Sequence, residues 1–317
     1  MLVVTSVACG FSPTAAVMTA ARLVQGFAGG WAMVIARSVV VDLTDGVRMV
    51  RAMNVVAAVG GLAPVVGPLL GALVLSVTHW RVSFWLVAAL AAMMLAAVAL
   101  VLHESLPVES RHPGGLDRLL GATGEVLSSR VFSGHLVVFA FSMGTTFAYV
   151  ATSAYVLQSM NGLTPFQYSI DFAANAAGMT AAAVVAARYA KRLPARVFVK
   201  IGLTATGVAG VVLAVGAVWF SMPLAFALVG FVVLMTAQGL VGPNAGALAS
   251  AAVPEHPGTG SALLGFLQWV MAGTIAPLAG LGGEDTAVPM AAIVLLLTGA
   301  SCIAYVAAAG RRPFRGP

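Results

Sequence analysis

Long apolar stretches separated by short polar joints run through the whole chain. Nine of them, at 14–36, 53–77, 82–102, 133–157, 167–188, 198–220, 223–248, 259–281 and 286–309, have the length an α-helix needs to cross a hydrocarbon core of roughly 30 Å. A further apolar run, 2–11, has about half the needed length. None of the runs alternates apolar with polar positions, the period-two pattern of a membrane β-barrel strand. The pattern therefore predicts an all-α, polytopic transmembrane helical bundle of nine full spans and a partial one.

The polar joints divide this array. The one long connection, 103–131, opens HESLPVESRHPGGLDRLL. It separates a helical bundle at 1–102 from a six-span bundle at 132–310, and residues 311–317 form a basic tail. The two bundles echo each other. Gln25-Gly26 has a counterpart in Gln238-Gly239, and Gly67-Pro68-Leu69-Leu70-Gly71 in Ala276-Pro277-Leu278-Ala279-Gly280, at separations of 43 and 39 residues. Matches in the same order at the same spacing suggest duplicated halves of the kind transporters use. By that repeat the first half is expected to begin roughly 80 residues upstream of Met1, so that 2–11 is the end of a third helix.

Composition agrees with lipid as the principal solvent. Hydrophobic residues make up 60% of the 317 positions and charged residues 8%. Mean hydropathy is +1.00. A soluble domain uses about 25% charged residues to cover its surface, so this chain lacks the polar surface for water. The net charge of +6 does not call for a nucleic acid, because its placement has another cause. Fourteen of the 16 basic residues fall in alternate joints: Arg37, Arg48, Arg51, Arg111, Arg118, Arg130, Arg188, Lys191, Arg192, Arg196, Lys200, Arg311, Arg312 and Arg315. Arg81 is the one basic residue in the opposite joints. Such asymmetry places the 103–131 connection and the tail in the cytoplasm of a multi-pass plasma-membrane protein. Cys9 and Cys302 lie in apolar runs far apart in sequence and read as buried thiols, not a disulfide.

Polar groups inside the spans are the candidate chemistry. Arg22 lies roughly 12 Å below the outer surface by helix rise, a depth at which arginine faces a cavity or a partner. Gln25 follows it at helical spacing, as do Gly26, Gly29 and Met33. In the 133–157 span, His135, Phe139, Ser142, Thr146, Tyr149 and Ser153 are spaced four and three apart and share one helix face. Hydroxyls with aromatic rings suit a wall for an amphipathic molecule, and they also suit interhelical hydrogen bonding. Asp171 is a proton-carrier candidate or a solvated carboxylate near a helix start. Asn175, Gln238 and Gln268 add polar points to later spans. Gly67, Pro68 and Gly71 sit in a glycine- and proline-rich helix shaped for a moving interface. No metal-ligand spacing, phosphate-cradling loop or catalytic motif occurs. An enzyme is not expected, nor is any cofactor.

Several of these segments resemble a known family. ARLVQGFAGG at 21–30 resembles the fourth-helix pattern of the major facilitator superfamily, and GLAPVVGPLLGAL at 61–73 its exporter motif, with Ala72 in place of the last glycine. RYAKRLPARVFVKIG at 188–202 resembles the basic loop between the eighth and ninth helices. TFAYVATSAYVLQSMNGLTPFQY and GLVGPNAGALA, with GTGSALLGFLQ, look like the bicyclomycin-resistance (Bcr/CflA) group of drug/proton antiporters. The resemblance implies a major facilitator fold and proton-coupled efflux of a small amphipathic compound by alternating access. It implies proton coupling at Arg22 and inner-leaflet sealing at Gly67, Pro68 and Gly71. The partners it implies are a bilayer, protons and substrate; the oligomeric state stays open, with a monomer expected. A transporter of another solute, such as a sugar or amino acid, and a non-transporting membrane protein remain as alternatives.

Overall fold

The computed structural model describes residues 1–43, 66, 67, 70–101 and 116–309. They form two compact units, 1–113 and 114–317. Each is considered by itself.

The first unit contains α1 (Leu2–Gly10), α2 (Ala15–Leu43) and α3 (Trp80–Val101); residues 70–77 are also helical. α1 packs on both α2 and α3. The approach to α3 depends on Gly10, because any Cβ there would collide with the Trp85 indole. Phe11 closes the same contact, its ring centroid 5.4 Å from that of Trp85.

The second unit begins with α4 (Leu116–Ser128) and continues with α5 (Arg130–Ala154), which runs on into a single π turn, Tyr155–Ser159. Then follow α6 (Pro165–Tyr189), α7 (Ala195–Trp219), α8 (Leu224–Ala251), α9 (Pro257–Ala279) and α10 (Val288–Ala309). The ends are set locally. Ser129 caps α5 by accepting from the Phe132 amide, and Thr164 with Gln167 forms a reciprocal capping box at the start of α6. α5 is the pillar of this unit, touching α8, α9 and α10, while α7 packs against α8 and α10.

Small residues bring the helices together. A Cβ on Gly178 would lie 2.9 Å from Thr236 Oγ1, and one on Gly239 would strike the Met179 carbonyl. α6 and α8 thus meet backbone to backbone, as membrane helices do when lipid supplies no hydrophobic drive of its own. Gly202 does the same for α7 against Val241 and the Ala237 carbonyl of α8. Between α7 and α8 the chain turns through Ser221 and Met222, both at positive φ. Met222 is buried there, and its amide donates to the Gly216 carbonyl at 2.7 Å.

Seven helices among the described residues are long and apolar enough to cross a membrane: Trp80–Val101, Arg130–Ser159, Pro165–Tyr189, Ala195–Trp219, Leu224–Ala251, Gly258–Ala279 and Val288–Ala308. They answer to seven of the nine expected spans. The expected span 14–36 falls within α2, whose 29 residues include Arg22 and Gln25 and are correspondingly less apolar. The span expected at 53–77 lies largely outside the described residues. Half of the expected 103–131 linker is α4, a helix whose Val126 is buried with Phe132, Leu136, Ala249, Val253 and Leu264. Of the two cysteines expected to be buried, Cys9 is, and Cys302 is exposed on α10. A helix face turned to lipid is as apolar as one turned to the core, so hydropathy does not separate the two.

Candidate functional site

Three polar groupings stand out among the apolar helices. The first is in the first unit. Arg22 Nη1 donates to Gln25 Oε1 at 2.6 Å, and Gln25 Nε2 donates to Ser6 Oγ at 2.6 Å. Three residues separate Arg22 from Gln25, so one helix turn sets them side by side. Gln25 and Ser6 are buried, while Arg22 stays exposed with its guanidinium 5.7 Å from the centre of the Phe84 ring. Gln25 therefore orients the cation and ties α2 to α1. No described atom lies within 4 Å of where a Cβ on Gly67 or Gly71 would stand; Pro68 lies outside the described residues.

The second grouping joins three helices of the second unit. Ser142 Oγ on α5 donates to Gln238 Oε1 on α8 at 2.5 Å, and Gln238 Nε2 donates to Thr206 Oγ1 on α7 at 3.1 Å. All three side chains are buried. Their polar atoms satisfy one another, as hydrocarbon surroundings require. Thr146 donates to the Ser142 carbonyl of its own helix at 3.1 Å. Phe139 packs against Gly246 of α8. His135, at the near end of the stripe, is bonded through Nδ1 to the Val131 carbonyl at 2.8 Å.

The third grouping is the densest. Tyr149 and Ser153 from α5 meet Tyr168, Asp171 and Asn175 from α6. Asn175 Nδ2 donates to Asp171 Oδ2 at 2.8 Å, and the Ser153 and Tyr168 hydroxyls are 3.2 Å apart. The Tyr149 ring stacks on Phe172 at 5.6 Å and meets Phe231 of α8 edge-on at 5.0 Å. That clamp aims its hydroxyl at the Asn175 and Ser153 side chains. Even so, Tyr149 Oη and Asn175 Oδ1 are both buried and complete no well-formed hydrogen bond among the described residues. Native interiors rarely leave such atoms alone. Asp171 has no cation bonded to it among the described residues, so a carboxylate, an amide oxygen and a phenol share one poorly satisfied spot. That arrangement can take up a proton, a water or a ligand donor.

The stripe read on 133–157 is thus divided between two sites. Its middle is spent on interhelical bonds, and its far end meets Asp171 and Asn175. Gln268, half-buried on α9, joins neither. Sequence reasoning missed Ser6, Thr206 and Tyr168. Tyr168 had a signal, standing one turn before Asp171 on the same face; Ser6 and Thr206 are single hydroxyls in apolar helices and had none.

Buried polar clusters inside bundles of membrane-length helices define a polytopic helical membrane protein. Residues 1–277 match the sequence profile of the Major Facilitator Superfamily, and the chain belongs to that family of transporters. It is 27% identical over 307 residues to YdgK, an uncharacterised MFS-type transporter of Bacillus subtilis, spanning 96% of this chain and 76% of that one. It is 25% identical over 290 residues to a bicyclomycin resistance protein homolog of Haemophilus influenzae, spanning 90% and 70%. The fold is similar to that of a bacterial homolog of the human lysosomal transporter Spinster, inward-facing and unoccupied, with a TM-score of 0.69 at 15% identity over 98% of this chain and 81% of that one.

Proposed function

We propose that this transporter exports small amphipathic compounds in exchange for protons, by alternating access, and belongs with the bicyclomycin-resistance group of drug antiporters. The observation that carries the proposal is the Asp171 cluster. A carboxylate inside a spanning helix, bonded to Asn175 and facing the unsatisfied Tyr149 hydroxyl, is placed to gain and lose a proton as water access alternates. Asp171 and Arg22 are the proton-coupling residues in this reading. Tyr149, Ser153 and Asn175 are the substrate-facing residues of the second unit in this reading, and Gly67, Pro68 and Gly71 seal the inner leaflet. The named bicyclomycin resistance relative supports the choice of an amphipathic antibiotic as substrate.

The test is an efflux assay in a drug-sensitive host that expresses the protein. Preloaded cells should lose a fluorescent amphipathic drug faster than the vector control, and a protonophore should remove the difference. Asp171→Asn keeps the shape and loses the titrating group, and should cut proton-driven efflux at least about tenfold while the protein remains in the membrane at normal level. Protonophore-insensitive efflux, or full activity in Asp171→Asn, would overturn this assignment.

A further inference from the structure

The last turn of α6, the joint after it and the first turns of α7 carry five cations, Arg188, Lys191, Arg192, Arg196 and Lys200, and no carboxylate. None of the five is ion-paired among the described residues. On the exposed side of α7, Lys200 and Ile201, with Thr204 and Ala205 one turn further on, line a shallow open groove of about 520 Å³. The opposite side of the helix is occupied: Gly202 abuts Val241 of α8, and the Tyr305 hydroxyl of α10 donates to the Arg196 carbonyl at 2.9 Å. The groove therefore lies on a rigid part of the bundle.

Its chemistry changes along its length. Lys200 forms a cationic end. Thr204 donates its hydroxyl proton to the Lys200 carbonyl at 3.0 Å, leaving the groove floor without a free donor. Ile201 is 50% exposed, and beyond it the same helix exposes Val208 at 56% and Val211 at 54%. A cation at the helix start that gives way to bare aliphatic surface matches an amphiphile with a negative head and a hydrocarbon tail.

We propose that this groove binds one anionic phospholipid, its phosphate at Lys200 and an acyl chain along Ile201, Val208 and Val211. A free phosphate would use only the cationic end. A zwitterionic lipid would bring its own ammonium into a field of five uncompensated cations.

Native mass spectrometry of the purified protein, after incubation in mixed micelles with phosphatidylglycerol or phosphatidylcholine, tests this. Phosphatidylglycerol should be retained about fivefold more than phosphatidylcholine, the preference one interfacial cation confers. Lys200→Glu should abolish that preference. Ile201→Trp fills the groove without changing charge and should lower retention of phosphatidylglycerol by a similar factor; it decides the matter if the charge-reversed protein does not purify. Inorganic phosphate in excess should not displace the lipid. Equal retention of the two lipids, wild-type retention in Ile201→Trp, or displacement by phosphate alone would each overturn the assignment.

Discussion

Gln238 shows how much of a membrane helix bundle can depend on one side chain. Its amide joins α5, α7 and α8, yet Thr206 does not depend on it alone, since its hydroxyl already donates to the Gly202 carbonyl at 2.9 Å. Gln238→Leu should therefore cost only about 1–2 kcal/mol, read as a lower thermal midpoint of the solubilised protein with helix content unchanged. Arg22 should behave in the opposite way. It is exposed and held by Gln25, so Arg22→Ala should leave stability within about 0.5 kcal/mol and abolish efflux in the transport assay. At this scale the sequence was legible in part. Spacing alone placed Tyr149 and Ser153 on the face that meets α6, and put Gln25 one turn from Arg22. Which atoms bond, and which remain unsatisfied, depended on partners from other helices that no spacing reveals.

Whole elements were more legible, because a run of about 20 apolar residues has few fates other than a spanning helix. Two elements escaped for physical reasons. α4 is amphipathic, so its mean hydropathy is low and a search for apolar runs passes over it. The π turn Tyr155–Ser159 is a tertiary effect: Asn161 Nδ2 donates to the Val156 carbonyl at 2.8 Å and to the Met222 carbonyl at 3.1 Å, satisfying backbone from two segments at once. Contacts between elements give a sharp prediction. A Cβ at Gly239 meets backbone, which cannot swing aside. Gly239→Val should then push α6 and α8 apart and destabilise the second unit by about 3 kcal/mol, whereas Gly273→Val, on α9 with open space around it, should cost under about 1 kcal/mol. Thermal unfolding of the two variants side by side separates these outcomes.

At the scale of the molecule, the charge distribution and the helix array belong to one description. Fourteen of 16 basic residues in alternate joints predict a cytoplasmic C-terminus. A C-terminal phosphatase fusion, active only in the periplasm, should be silent in cells, and a fluorescent protein fused at the same point should be bright. The meeting of α6 and α8 bears on how such a molecule moves. Side chains between two helices act as springs: they change rotamer, absorb part of a displacement and pass on the rest. Where Gly239 faces the Met179 carbonyl, that spring is missing, and the joint has no slack. α6 and α8 must travel as one lever, and under the proton-exchange proposal a shift that began at Asp171 on α6 would reach Gln238 on α8 undiminished.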